Sequence, residues 1–110
     1  GSKSCDELVD ENDPDIYGAL ARRYLNIGCS CMTPNPNRFA LLGRLIEEYK
    51  PDAVVEIVLQ ACHTYAVESL QVKRFVQSNY GLPYLKIETD YATSDIGQIN
   101  TRVSALMEML

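Results

Sequence analysis

The sequence predicts an α/β layered domain in which a short parallel sheet lies between helices. Residues 53–59 form a short run that is apolar at every position except Glu56, and residues 84–87, Tyr-Leu-Lys-Ile, form a second strand-like run after a Gly-Leu-Pro turn. A run that is apolar on both faces is typical of a parallel strand covered by helices. Helical periodicities stand before, between and after the two runs. This alternation predicts a flavodoxin/Rossmann-like layered domain with right-handed crossovers.

Two helices precede the first strand. Asp13 before Pro14 is typical of a cap followed by proline at the first helical position, and it predicts a helix over 14–25. Asn35 before Pro36 gives the same signal for a second helix, which Pro51 ends. The apolar faces predicted for these two helices consist of Ile16, Leu20 and Tyr24 in the first, and of Phe39, Leu42, Ile46 and Tyr49 in the second.

The later elements follow in order. The strand over 53–59 contains Glu56, which needs a partner or a position at an edge. A third helix is predicted over 63–79. A cap at Ser94 or Asp95 predicts a last helix whose apolar face is formed by Ile96, Ile99, Val103, Met107 and Leu110.

Two strands are too few for a free-standing sheet. The sheet therefore lacks at least one neighbour, which a longer protein or an association would supply. We interpret residues 1–2 as an expression scar and residues 3–110 as one domain of a larger subunit.

Charge and cysteine usage limit the possible partners. The formal net charge of −5 argues against nucleic acid as a partner, because such binding needs a basic surface. No run approaches the apolar length of a membrane span. Four cysteines without a secretory signal indicate the cytoplasm, where clustered thiols more often bind metal than form disulfides. We expect Cys5 to be an ordinary small core residue.

The other three cysteines lie where a turn meets a helix or strand. Cys29 and Cys31 stand in a loop rich in Gly, Pro and Asn, and Cys62 follows the first strand at the start of the third helix. A helix N-terminus favours the thiolate form that binds metals. This placement predicts a soft-metal or iron–sulfur site rather than a disulfide framework.

Ligands of parallel sheets bind beyond the carboxyl ends of the strands. Cys62, His63, Glu88 and Asp90 are predicted at that edge, and the loop of Cys29 and Cys31 could fold over it. Zinc held by the three cysteines and His63 is one alternative, although Cys-x-Cys spacing is unusual for structural zinc. A Cys62–His63 nucleophile pair is another. An iron–sulfur cluster fits the thiols, although three is one short of the usual four.

Three segments occur in the order and spacing of a known family. QACHTYAVES at 60–69, GLPYLKIETDY at 81–91 and GQINTR at 97–102 closely resemble the C-terminal region of the 2-hydroxyacyl-CoA dehydratase family. That family also holds benzoyl-CoA reductase subunits and double-cubane cluster proteins. GCSC at 28–31, followed by Pro34, Asn35 and Arg38, resembles the double-cubane branch most.

The resemblance implies a role in redox chemistry. It implies that Cys29, Cys31 and Cys62 ligate a [4Fe-4S] or double-cubane cluster in the full-length protein. Around such a cluster we expect Thr64, Tyr65 and Thr89 to support the ligands. It implies an ATP-dependent activator that delivers low-potential electrons, a second subunit or a homodimer, and reduction of a small substrate. The chain would then be a C-terminal fragment without the domain's first strand, holding no cluster and inactive alone.

Two other functions stay open. The parent could be a 2-hydroxyacyl-CoA dehydratase subunit that removes water through a ketyl radical, or this region could be an assembly module whose cysteines are core residues.

Overall fold

A computed structural model describes residues 7–32 and 34–110 of the chain, so the prediction for Cys5 lies outside the described residues. The chain divides into two compact units, the first ending at Tyr49 and the second beginning at Lys50. Each unit is built from the elements that the sequence predicts, with shifts of a few residues at their ends.

The first unit contains helix α1 (Ile16–Leu25), a single 3-10 turn (Ser30–Met32) and helix α2 (Pro36–Tyr49). Helix α1 begins two residues later than predicted. Its cap is Asp15, whose side chain accepts a hydrogen bond from the Gly18 amide at 3.0 Å. Asp13 instead accepts hydrogen bonds from the Asp15 amide and the Arg22 guanidinium, so it shapes the turn before the helix.

The apolar faces predicted for these helices are only partly buried. In α1, Ala19 is buried, whereas Ile16 and Tyr24 are exposed. In α2, Ile46 is buried as predicted, whereas Tyr49 is exposed. Periodicity finds the helices because it reports local geometry, but burial also depends on which elements lie against each face.

The second unit contains strand β1 (Val54–Leu59), helix α3 (His63–Tyr80), strand β2 (Tyr84–Thr89) and helix α4 (Ile96–Met107). The strands pair in parallel, in a register that runs from Val54 opposite Tyr84 to Leu59 opposite Thr89. Helix α3 ends at Gly81, which adopts a left-handed conformation with φ 65°. Asp95 precedes α4, as one of the two predicted caps does, but its side chain makes no cap hydrogen bond.

The core of this unit lies on one side of β1. Its buried apolar residues are Val58, Val72, Val76, Ile87 and Leu106. Glu56 is also buried on this side and accepts a hydrogen bond from the Tyr84 hydroxyl, which supplies the partner that the sequence required.

The prediction that both faces of β1 are covered is wrong for the described residues. Val55, Ile57 and Leu59 alternate with the core positions and are exposed, Ile57 by 68%. The face predicted for α4 is also partly wrong, because Leu106 is buried and Met107 is exposed. Both differences agree with a small incomplete sheet, in which apolar residues outnumber the elements available to cover them.

Among the described helices, none is both long and apolar enough to cross a membrane.

Candidate metal-binding cysteines and a polar cleft

Cys29 and Cys31 lie in a tight turn of the first unit. The Met32 amide donates to the Cys29 carbonyl oxygen at 2.9 Å and closes the turn. The Cys29 amide donates to the Ile27 carbonyl oxygen at 2.7 Å. These two bonds fix the backbone on both sides of the cysteine pair.

The turn is also anchored to the start of α2. Asn35 is buried, and its side-chain amide donates to the Gly28 carbonyl oxygen at 3.2 Å. A Cβ atom at Gly28 would lie 2.9 Å from the Cα of Arg38, closer than such atoms normally approach. Gly28 is therefore required by close backbone packing, and Asn35, predicted as a helix cap, holds the cysteine loop.

Cys29 affects the ionisation of Cys31. The side-chain hydrogen bond of Cys29, followed by its electrostatic effect, raises the pKa of Cys31 above its ordinary value. Cys29 is half-buried and Cys31 is exposed. The turn thus presents two adjacent sulfur donors, one of them open to solvent.

Cys62 lies alone at the turn from β1 to α3. Ala61 before it has a left-handed conformation with φ 64°, and the Cys62 amide donates to the Leu59 carbonyl oxygen at 3.0 Å. Cys62 occupies the N-cap position of α3, as the sequence predicts, and its carbonyl oxygen accepts from the Ala66 amide at 3.0 Å. The half-buried Cys62 therefore stands at the N-terminus of α3.

Of the predicted residues near Cys62, only Thr64 approaches its sulfur among the contacts seen in the described residues. Thr64 is exposed, and its hydroxyl oxygen lies 3.9 Å from the Cys62 sulfur. Tyr65 is half-buried, and its carbonyl oxygen accepts from the Ser69 hydroxyl. His63 is the exposed first residue of α3. Thr64 is thus the predicted residue that contacts a candidate ligand directly.

A polar cleft of about 300 Å³ opens at the carboxyl edge of the sheet, where the strand order predicts a ligand site. Cys62 and His63 are not among the residues that line it, whereas the predicted Glu88, Thr89 and Asp90 are. The full lining consists of Gln60, Glu88, Thr89, Asp90, Ser94 and Asp95.

Thr89 and Asp95 form the inner wall of this cleft. The Thr89 hydroxyl donates to one carboxylate oxygen of Asp95 at 2.6 Å. The other oxygen, Oδ1, is buried and has no hydrogen-bond partner among residues 7–32 and 34–110. From the sequence, Asp95 was expected only as a helix cap. Gln60 was not proposed as a ligand-binding residue, although it directly follows β1 and so lies at the edge where ligands bind.

The predicted metal ligands do not form a complete site within the described ranges. Across residues 7–32 and 34–110, no three His, Cys, Asp or Glu side chains are grouped so that they could hold a metal ion. Cys29 and Cys31 belong to the first unit, and Cys62 belongs to the second. The joint ligation of one metal group by all three stays a prediction.

Comparison with known proteins supports the resemblance. The family model described as 2-hydroxyglutaryl-CoA dehydratase, D-component, matches residues 1–110. The chain is 54% identical over 110 residues to YjiM of Escherichia coli (strain K12), which is named as a proposed dehydratase subunit. It is 32% identical over 81 residues, 74% of the chain, to a benzoyl-CoA reductase subunit of Thauera aromatica.

The chain is short beside these relatives. Its match covers 28% of YjiM and 18% of the benzoyl-CoA reductase subunit. The family match nevertheless extends over every residue, and the cysteine turns and the cleft all lie inside it. The chain therefore belongs to the 2-hydroxyacyl-CoA dehydratase family, D-component.

Proposed function

We propose that this chain is part of a larger cytoplasmic iron–sulfur subunit that receives low-potential electrons from an ATP-dependent activator and reduces a small substrate. Family membership supports a subunit of a multi-component enzyme. The greater length of both relatives supports a parent protein that contributes further ligands and a second subunit or a second copy. Reduction is the activity named for one of them, the benzoyl-CoA reductase of Thauera aromatica.

The observation that carries the proposal is the placement of Cys29 and Cys31 in one anchored turn. Iron–sulfur clusters are held by several cysteine thiolates, and this turn supplies two cysteines. Cys62 adds a third sulfur at the N-terminus of α3. The donor chemistry of the three residues therefore fits a cluster whose remaining ligand comes from elsewhere in the parent.

A cluster bound at these sulfurs would supply one-electron transfer. The surrounding chain would set how readily that occurs, because hydrogen bonds to sulfur and local charge tune reduction potentials. We assign this role first to Thr64, whose hydroxyl oxygen lies 3.9 Å from the Cys62 sulfur. We assign the same role to Tyr65, on the first turn of α3, and to Thr89, which lines the cleft.

The charge of the cleft bears on the substrate. Glu88, Asp90 and Asp95 bring three carboxyl groups to its wall, and no lysine or arginine of the described residues lines it. Such a wall repels phosphate groups, so it favours a small neutral or cationic substrate over a coenzyme A thioester. This observation supports reduction of a small molecule.

The alternative enzyme is a 2-hydroxyacyl-CoA dehydratase subunit. Both the family model and YjiM carry dehydratase in their descriptions, which is the observation that favours it. Binding of a 2-hydroxyacyl-CoA to the complete complex, measured by calorimetry, separates the two activities. Tight binding would support the dehydratase, and its absence would support the reductase.

A purely structural role is less well supported. An assembly module with core cysteines requires buried, unreactive thiols at all three positions. Cys31 is exposed, and Cys29 and Cys62 are only half-buried. The accessibility of these sulfurs therefore favours a chemical role.

Anaerobic iron and sulfide analysis of the full-length subunit, with electron paramagnetic resonance of the reduced sample, tests the proposal. Cys62→Ser is expected to lower the iron content and change the spectrum, whereas the control Cys5→Ser is expected to leave both unchanged. Wild-type protein without iron, or a Cys62→Ser variant with an unaltered spectrum, would contradict the proposed ligand set.

A further inference from the structure

We propose that the sheet of the second unit is extended at the free edge of β1 by a further parallel strand, which a segment of the parent subunit outside this chain supplies. Strand β2 is then the last strand of the sheet. This extension rests on the larger parent of the proposed function, but it requires neither the cluster nor any of the cysteines.

The backbone of β1 faces away from β2 at every second residue. Among residues 7–32 and 34–110 the sheet consists of β1 and β2, so each strand has one free edge. The Val54 amide donates to the Pro83 carbonyl oxygen at 2.9 Å, and the Gln60 amide donates to the Thr89 carbonyl oxygen at 2.7 Å. In a parallel ladder, alternate residues of a strand turn both backbone groups toward the same neighbour. Positions 55, 57 and 59 therefore direct their N–H and C=O groups toward the free edge.

The residues at this edge of β1 are apolar and accessible. They are Val55, Ile57 and Leu59, and all three side chains are exposed. None of them carries a charge or a proline ring, and these are devices by which exposed edge strands avoid pairing. The six residues of Val54–Leu59 also match the usual length of a paired strand. The free edge of β1 is therefore chemically suited to receive another strand.

The outer edge of β2 has the opposite character. The Lys86 carbonyl oxygen faces this edge and accepts a hydrogen bond from the Arg102 guanidinium of α4. An arriving strand would have to displace this bond before it could donate to the same oxygen. Lys86 also pairs with Glu88 at 3.6 Å, and Lys73 lines the groove beside Arg102. Charged side chains and a covered backbone both block strand addition, so β2 is suited to end the sheet.

The order of elements indicates that the added strand is parallel to β1. Helix α3 ends at Gly81, whose φ is 65°, and Pro83 precedes β2. Helix α2 is followed by Lys50, whose φ is 46°, and by Pro51 before β1. The two helix-to-strand junctions are alike, but in the described part of the chain only α3 also follows a strand. A strand before the first two helices would complete a second β–α–β unit, whose strands are parallel.

The parent subunit is the source that meets this requirement. The match of the chain covers 28% of YjiM and 18% of the benzoyl-CoA reductase subunit, so most of each relative lies outside it. A second copy of this chain does not meet the requirement. Two β1 edges related by a two-fold axis would pair in an antiparallel arrangement.

Hydrogen exchange of the backbone amides in the full-length subunit, resolved to single residues, tests the extension. The Val55, Ile57 and Leu59 amides are expected to exchange roughly 100-fold more slowly than those of Lys86 and Glu88, because amides bonded within a sheet open only on partial unfolding. The Lys86 and Glu88 amides are the matched control, since they face the outer edge of the same sheet.

Fast exchange at positions 55, 57 and 59 would overturn the proposal, as would equal protection of the two control amides. Protection that falls on dilution of the protein would assign the strand to a second copy and would overturn it as well. The measurement needs no iron, so it separates this proposal from the proposed function. Protected amides on β1 in a subunit that never binds iron would support the added strand and contradict the cluster.

Discussion

The two cysteine-bearing turns reach similar positions before a helix by different means. The turn of Cys29 and Cys31 is anchored by side-chain and packing constraints, namely the amide of Asn35 and the missing Cβ of Gly28. The turn of Cys62 is anchored by backbone bonds and by the left-handed conformation of Ala61. The first presents a pair of interacting thiols, and the second presents a single thiol at a helix N-terminus.

Because the two turns are anchored differently, different substitutions are expected to destabilise each of them. A turn held by close packing is sensitive to any added atom, whereas a turn held by main-chain bonds tolerates changes that its conformation allows. In the first turn Cys29 also raises the pKa of Cys31. Four substitutions test this contrast, beginning with the largest expected effect.

Gly28→Ala is expected to lower the free energy of unfolding by about 2 kcal/mol, because the new Cβ meets the backbone of Arg38. The matched control is Gly97→Ala in α4, where nothing lies within 4 Å of the added atom. That change is expected to raise stability by about 0.5 kcal/mol, since alanine favours helix more than glycine does. Urea unfolding measures both, and equal effects would contradict the packing argument.

Asn35→Ala is expected to cost about 1.5 kcal/mol, because it leaves the Gly28 carbonyl oxygen without its side-chain donor. The exposed Asn37→Ala on α2 serves as the control and is expected to change stability little. Hydrogen exchange across residues 27–32 provides a second readout. Exchange that stays as slow in Asn35→Ala as in the wild type would show that the clamp does not hold the loop.

Cys29→Ser is expected to speed the alkylation of Cys31 in metal-free protein near pH 8. Cys29 raises the pKa of Cys31, so its removal lowers that pKa and increases the reactive thiolate at a given pH. The pH profile of the iodoacetamide rate should shift to lower pH, and Cys62→Ser should not move it. An unshifted profile in Cys29→Ser would indicate that the two thiols do not interact.

Ala61→Gly is expected to stabilise the protein slightly, by about 0.5 kcal/mol. Glycine removes the cost of a positive φ angle, and its greater freedom in the unfolded chain offsets part of that gain. Ala66→Gly inside α3 is the contrasting change and is expected to cost up to about 1 kcal/mol. A loss of stability in both variants would mean that Ala61 is held by contacts of its methyl group.

Local signals predicted most of the fold. Pro36 and Gly81 mark helix ends where the structure has them, and alternation of helix and strand predicted the parallel pair. Which residues are buried was less predictable. Ile16 and Met107 fit helical faces yet are exposed, because burial depends on elements that pack from elsewhere in the chain.

The candidate site also combines features that the sequence predicts with features that depend on tertiary contacts. The placement of Cys62 at the start of α3 followed from the strand-to-helix pattern alone. The hydrogen bond between the two thiols of the loop and the buried amide of Asn35 did not, since both depend on how the turn folds back. The wall formed by Thr89 and Asp95 was likewise missed, because residues six apart meet only after the loop between them closes.

The sequence by itself determined the family, the order of helices and strands, and the identity of the sulfur donors, because these properties reside in residue types and local spacing. The tertiary structure decided how the loop of Cys29 and Cys31 is anchored, which carboxylate oxygen lies buried beside the cleft and which face of β1 is covered. Those outcomes depend on distances between residues that the chain brings together only when its turns close and its elements pack.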